Sequence, residues 1–293
     1  MHLGISIDKV QLKATVLDDQ FNTVYSSQQS LKQTTQEVKQ QVFQLVDNFQ
    51  WAYGTFCSIG LAITEEVLAW FDCHHLALHV LIEQHYRVRC SKSNFVEAGL
   101  QSSPDTLSQI KLGKVLCVVL DNECELYSCN KTRRGISQRT IRSIPWAHVA
   151  LPDYDFAFDG LVTTCSCASE ACTEQFVSVS GLERQYEQIL LKCSNVKEIL
   201  CALESGDSIA ARTYRRYIDQ LARALKPHIR NNEPRTLLIL GSVSRYAHIS
   251  SDLKFALSRY WDASPLPVML ALPYEDFSIS RGATQTKAQR LVR

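Results

Sequence analysis

The sequence predicts an α/β chain made of two successive halves of like design. Three observations carry this. At about 150 residues per domain, 293 residues suggest two domains and a sizeable core. Hydrophobic residues make up 45% and charged residues 21%, an ordinary globular composition that excludes intrinsic disorder and a fibrous fold. Each half opens on a hairpin of short β-rich runs and continues with helices alternating with buried apolar runs, which is the pattern of a duplicated fold.

The elements follow in order. Leu3–Ile7, Gln11–Leu17 and Thr23–Ser27 alternate in polarity and read as an antiparallel meander. Thr34 to Phe49 places Val38, Val42, Leu45, Val46 and Phe49 at helical spacing, and Cys57–Ile63 is a buried strand. Leu76–His85 reads as a helix, Tyr86–Cys90 as a strand and Asn94–Gln101 as a short helix, before a break at Ser102-Ser103-Pro104-Asp105. The pattern restarts with Lys114–Leu120 and Glu123–Cys129, paired across an Asp-Asn turn. A basic strand or loop then runs through Lys131–Arg142. From Thr173 the chain is largely helical. Gly206-Asp207-Ser208 opens a long helix to about Asn231, with Ile209, Thr213, Tyr217, Leu221 and Leu225 along one face. Arg235–Leu240 is a buried strand, Ser244–Trp261 a helix, Leu266–Leu272 a strand and Ser278–Arg293 a polar terminal helix. The domains are therefore expected at 1–113 and 114–278, with the terminal helix, about 279–293, packing back on the first.

Charge and cysteine usage narrow the function classes. Thirty-one Lys and Arg against 30 Asp and Glu leave a net charge of +1, so no basic excess marks a phosphate-held DNA binder. The basic run Lys131-Thr132-Arg133-Arg134, with Arg139 and Arg142, reads as an anion contact or as a solvated strand. The first residues open straight into a strand without a signal-like leader, and the longest apolar runs, such as Val115–Leu120, are too short to span a bilayer. A cytoplasmic protein with reduced thiols and no membrane partner is expected. Eleven cysteines then divide into a cluster that suggests metal and scattered ones that suggest core packing. Cys73-His74-His75 reads as a solvated turn.

Cys165, Cys167 and Cys172 put three thiols in one short loop, and an imidazole upstream at His148 completes a tetrahedral Cys3His set suited to a closed, structural Zn²⁺. Reduced cysteines packed in a loop are the alternative. The stretch Cys165-Ser166-Cys167-Ala168-Ser169-Glu170-Ala171-Cys172-Thr173-Glu174 is similar to the Cys-x-Cys-Gly-x-x-Gly-Cys-x-Glu signature of the ROK family of repressors and sugar kinases, with alanine at both signature glycines. Gly206-Asp207-Ser208 with its helix, then Leu238-Ile239-Leu240-Gly241-Ser242-Val243-Ser244, resembles the helix and Leu-Gly-Gly-Gly-Val-Ser turn at that family's adenosine site. The resemblance spans nearly the whole chain. It implies a duplicated actin-like, ribonuclease H-like ATPase fold with two domains around a cleft, and a homodimer. It also implies zinc on His148, Cys165, Cys167 and Cys172, and a degenerate nucleotide site at Gly241, Ser242 and Ser244.

The family's catalytic parts are altered. Sugar phosphorylation needs backbone N–H groups around phosphates, Mg²⁺, and a carboxylate that takes the hydroxyl proton. Where the family's first phosphate loop reads Asp-x-Gly-Gly-Thr-Lys, this chain has Ser6-Ile7-Asp8-Lys9-Val10-Gln11. Asp8 adds negative charge, offset by Lys9, and both glycines that allow close backbone approach are gone. The second loop is replaced by Asp121-Asn122-Glu123, read as a hairpin turn. Only 11 glycines in 293 residues agree with these losses. The family's base position falls on Ser91, or on Lys92 with a slipped register, and the sugar-side Pro-Gly becomes Thr64-Glu65. An active kinase would need another carboxylate to serve as base, with Glu65, Glu66 and Glu97 as candidates nearby, each of which reads more simply as a solvated surface charge.

His148 and Glu174 persist as family sugar contacts, with Asn94 a further candidate, and Pro145 stands where the family has a sugar-contacting Glu. Glu174 reads equally as a charge at a helix N-terminus. The leading expectation is a non-catalytic sugar-kinase homologue with no catalytic residue, doubtful Mg-ATP binding, and a sugar ligand or protein partner. An active, divergent kinase for a hexose or N-acetylhexosamine is the alternative. A regulator is the third reading; the first hairpin leaves no room ahead of it for a helix-turn-helix, so no direct DNA binding is expected.

Overall fold

The structure, a computed structural model, describes all residues except 73–76, 134, 138–139, 162–164, 166, 262–264, 274 and 289–293, with backbone alone at 72 and 285–288. The chain divides into two units, Met1–Pro104 with Glu275–Arg293, and Asp105–Tyr274.

In the first unit β1 (His2–Ile7), β2 (Gln11–Leu17) and β3 (Thr23–Ser30) form the antiparallel meander. Helix α1 (Thr35–Tyr53) follows, started by Thr34 and Glu37, which bond each other's backbone N–H groups in a capping box. Then come β4 (Ser58–Ile63), α2 (Glu65–Asp72), α3 (Leu78–Tyr86), β5 (Arg89–Ser93) and α4 (Phe95–Ser102). The sheet order is β3-β2-β1-β4-β5, with β4 parallel to both β1 and β5. Its core joins Leu3, Ile5, Ile7, Leu12, Ala14 and Val16 to Val38, Val42, Leu45 and Val46 of α1. The terminal helix, α12 (Ser278–Ala288), returns to this unit and packs on β1, β4 and α4. The approach is close enough that a Cβ built on Gly4 would fall into the Ser280 carbonyl, and one on Gly60 into that of Ala283.

The second unit repeats the plan. After α5 (Pro104–Gln109) come β6 (Gly113–Leu120), β7 (Cys124–Thr132) and the short β8 (Gly135–Ile136) and β9 (Arg142–Ser143). The helices α6 (Phe156–Asp159), α7 (Glu174–Val177), α8 (Val179–Leu190), α9 (Val196–Glu204) and α10 (Ser208–Asn232) follow. Strand β10 (Thr236–Leu240), a 3-10 turn (Ser242–Arg245), α11 (Ile249–Ser258) and β11 (Val268–Ala271) complete the unit. The order β11-β10-β6-β7-β8, with β6–β7 antiparallel and β6–β10 and β10–β11 parallel, matches the first sheet's connectivity, so the α/β fold is duplicated. Tyr217, Leu221 and Leu225 of α10 pack against Leu116, Val118, Leu237 and Ile239.

Several elements depart from the sequence reading. The division falls at Pro104–Asp105 rather than 113–114, because 105–112 is tied to the second sheet: Lys131 Nζ donates to the Leu107 carbonyl at 2.7 Å and Lys111 N–H to Thr236 Oγ1 at 3.2 Å. The Pro104 break starts α5, since proline suits a first helical position. Helix α2 occupies a stretch to which the sequence reading assigned no element, and β5 lies three residues beyond the expected Tyr86–Cys90. Of the scattered cysteines, Cys90, Cys117, Cys124 and Cys129 are buried, whereas Cys57, Cys193 and Cys201 are exposed rather than core. Cys73-His74-His75, Arg134, Arg139 and the end of the terminal helix lie outside the described residues.

Candidate functional site: a cysteine-histidine cluster and two carboxylate-capped turns

The cluster is assembled by a short antiparallel contact within the second unit. Buried Trp146 donates its indole N–H to the Cys124 carbonyl at 3.1 Å, fixing the start of the segment that carries His148. Thr173 N–H bonds the Val149 carbonyl and Leu151 N–H the Ala171 carbonyl, both at 2.8 Å, and Ala150 bridges Cys172. His148 is thereby held beside the cysteine loop, with Nδ1 3.5 Å from Cys165 Sγ. One ligand atom from each of His148, Cys165, Cys167 and Cys172 lies within 4.8 Å of all the others. Zn–S bonds of about 2.3 Å and a Zn–N bond of about 2.0 Å set tetrahedral ligand separations of roughly 3.3–3.8 Å, so slight contraction would close this set on one ion. The donor chemistry fits zinc, all four positions being taken by protein.

The backbone of this loop keeps the shape that glycine favours. Ala168 and Ala171, where the family signature has glycine, sit at φ +56° and +51°, in the left-handed region. Hydrogen bonds from the Ser169 N–H and hydroxyl lower the Cys167 thiol to about 6, while burial pushes Cys172 up to about 12. A bound cation would favour the thiolate at all three cysteines.

Glu174, buried at the start of α7, brings Oε2 to 3.6 Å from His148 Nδ1, so these two expected sugar contacts are neighbours. Asn94 belongs to the first unit, where its Oδ1 accepts the Glu97 N–H at 2.8 Å and caps α4. Ser91 is a buried residue within β5 and Lys92 is exposed.

Each hairpin turn that corresponds to a phosphate loop is closed by its own aspartate. Between β1 and β2, buried Asp8 accepts the backbone N–H groups of Val10 at 2.8 Å and Gln11 at 2.9 Å through one carboxylate oxygen. Lys9, expected to offset Asp8, forms an ion pair with Glu66 at 3.6 Å. Between β6 and β7, buried Asp121 accepts the Asn122 N–H at 3.1 Å and the Ser242 hydroxyl at 2.8 Å. Gly241 has φ +95°, and a Cβ there would fall into the Leu120 carbonyl. The Ser244 hydroxyl lies 2.7 Å from the carbonyls of Gly241 and Leu272. Both serines of the expected nucleotide turn are thus engaged inside the unit. The Asp121–Ser242 tie was not foreseen, since it joins residues 121 positions apart.

The duplicated α/β plan is that of the actin-like two-domain sugar kinases. The ROK glucokinase of Streptomyces griseus, solved with glucose and AMPPNP, superposes with a TM-score of 0.74 at 17% identity over 97% of this chain and 98% of that one. A ROK family transcriptional regulator, a homologue of the Escherichia coli MLC protein, gives 0.71 at 16% identity over 98% of this chain and 77% of its own. The ROK family model matches residues 146–285, a little under half of the chain. The N-acetylgalactosamine kinase AgaK of Shewanella sp. is 28% identical over 120 residues, 41% of this chain and 39% of that protein. An N-acetyl-D-glucosamine kinase of Yersinia enterocolitica is 27% identical over 121 residues, 41% of this chain and 40% of its own length. The matched stretch therefore spans about two fifths of these curated relatives. No described helix is long and apolar enough to cross a membrane.

Proposed function

We propose that this protein binds a sugar as a cytoplasmic regulator and does not transfer phosphate. The observation that carries this reading is the closure of both turns on Asp8 and Asp121. A phosphate loop works by offering backbone N–H groups to an anion. In the first turn those donors already serve a carboxylate. A phosphate oxygen about 4 Å from a carboxylate meets roughly 4 kcal/mol of repulsion per pair of unit charges at an effective dielectric of about 20. That corresponds to a loss of about a thousandfold in affinity. Turnover lacks a base as well, because a serine hydroxyl, here Ser91 at the family's base position, does not accept a proton near neutral pH.

His148 and Glu174 support a sugar ligand, and the matched relatives, named as N-acetylgalactosamine and N-acetyl-D-glucosamine kinases, favour an N-acetylhexosamine. In this reading zinc on His148, Cys165, Cys167 and Cys172 is structural, holding the loop that positions Glu174. A homodimer or a protein partner would carry the signal. The second reading is a divergent kinase, favoured by the names of those relatives. Calorimetry with Mg-ATP, N-acetylglucosamine, N-acetylgalactosamine and glucose separates the two. We expect heat from an amino sugar and none from millimolar Mg-ATP. ATP-dependent phosphorylation of any hexose or amino sugar would overturn the proposal.

A further inference from the structure

A zinc ion held by three thiolates and a neutral imidazole carries a net charge of 2 − 3 = −1, and here one of the thiolates, Cys172, is fully buried. Such a site needs hydrogen-bond donors to sulfur and a nearby positive charge. Two residues outside the ligand set supply them. Gln175, buried three residues beyond Cys172, points its side-chain Nε2 at Cys172 Sγ, 3.6 Å away, within the range of an N–H···S bond. The main chain at Gln175 is fixed twice. Its N–H bonds the Cys172 carbonyl at 3.0 Å, and its own carbonyl accepts Nη2 of Arg184 from α8. Helix α8 approaches closely because residue 181 is glycine: a Cβ there would stand 2.6 Å from the Gln175 carbonyl oxygen. Arg184 is half-buried, reaches the main chain three residues beyond Cys172, and has a buried Nε with no hydrogen-bond partner.

We propose that Gln175 and Arg184 complete the metal site from outside. Gln175 is a positioning residue that donates to the Cys172 thiolate. Arg184 clamps Gln175 in place and balances the extra negative charge. This rests on the zinc reading of the four ligands, and the experiment separates the two ideas.

Zinc stoichiometry and affinity are measured on the full chain by competition with a chromophoric chelator. Cobalt is then substituted to read the sulfur-to-metal charge-transfer band. Wild type is expected to bind one ion per chain; if it binds none, the assignment of the four ligands fails first. Given binding, Gln175→Met, which keeps volume and loses the donor, is expected to weaken zinc by about 10- to 100-fold. It should also move the cobalt band to longer wavelength, since a sulfur that loses its hydrogen bond gives up charge more easily. Arg184→Met is expected to weaken zinc as well, with Arg184→Lys recovering part of the loss by restoring the charge. Unchanged affinity and an unshifted band in Gln175→Met overturn the proposal. Should that variant fail to fold, wild type loaded with ¹¹³Cd decides: scalar coupling between the metal and the Gln175 side-chain amide proton is expected, and its absence overturns the proposal.

Discussion

Exchanging Ala168 for glycine is expected to make the second unit more stable, against the usual direction for such a change. The residue is exposed and sits at φ +56°, where an L side chain costs roughly 1–2 kcal/mol and glycine costs nothing comparable. Glycine also loosens the unfolded chain, which takes back about 0.4–1 kcal/mol. The net gain for Ala168→Gly is about 0.5–1 kcal/mol. Ala171 provides the control. Its φ of +51° carries the same strain, but the residue is only 6% exposed and belongs to the second unit's core. Loss of that methyl removes about 0.8 kcal/mol of burial, so Ala171→Gly comes out near zero. In a unit of this size 1 kcal/mol moves the melting point by roughly 2–4 °C. Scanning calorimetry of the zinc-loaded protein therefore expects Ala168→Gly to melt about 1–4 °C higher and Ala171→Gly to match wild type. A lower melting point for Ala168→Gly, or an equal gain at both sites, would refute the strain argument.

Other outcomes follow from the same geometry. Asp8→Ala leaves the Val10 and Gln11 N–H groups without their acceptor and should lose about 1–3 kcal/mol in urea unfolding, while Asp8→Asn, which keeps an acceptor oxygen, should lose much less. Gly241→Ala forces both a positive φ and a clash with the Leu120 carbonyl; a loss of about 3 kcal/mol or more is expected, seen as a lower melting point and a poor soluble yield. Removing zinc with a chelator should lower the melting transition of the second unit and leave that of the first in place, because all four ligands lie in the second. Burial holds His228 below its ordinary 6.5, so the unfolded chain takes up that proton first. Its share of stability is complete above the ordinary value and disappears as the pH falls through the lower folded one, and His228→Gln should flatten this acid limb.

The parts of the fold legible in the sequence are those governed by local chemistry. Alternation located β1 and β2, apolar spacing from Thr34 to Phe49 located α1, and Gly206-Asp207-Ser208 marked the start of α10. The spacing of Cys165, Cys167 and Cys172 singled out the cluster, which the fold gathers with His148. What escaped depends on distant contacts. Strand β5, Arg-Cys-Ser-Lys-Ser, is too polar to read as a strand, yet it pairs along β4 with Ser91 and Ser93 buried. Asp8 and Asp121 look like ordinary turn residues; only the folded backbone reveals what their carboxylates accept. Gln175 and Arg184 lack a pattern of their own, since their meeting depends on how closely α8 docks at Gly181.

The return of α12 to the first sheet sets an order of assembly during synthesis. Residues 1–104 are made before Asp105–Tyr274, yet the segment that covers Gly4 and Gly60 is made after both. Until α12 has been made, the first sheet lacks its cover at Gly4 and Gly60, while Asp105–Tyr274 already has every strand of its own sheet. A premature stop just after Tyr274 would spare the unit that carries the cysteine cluster and leave the first one permanently unfinished.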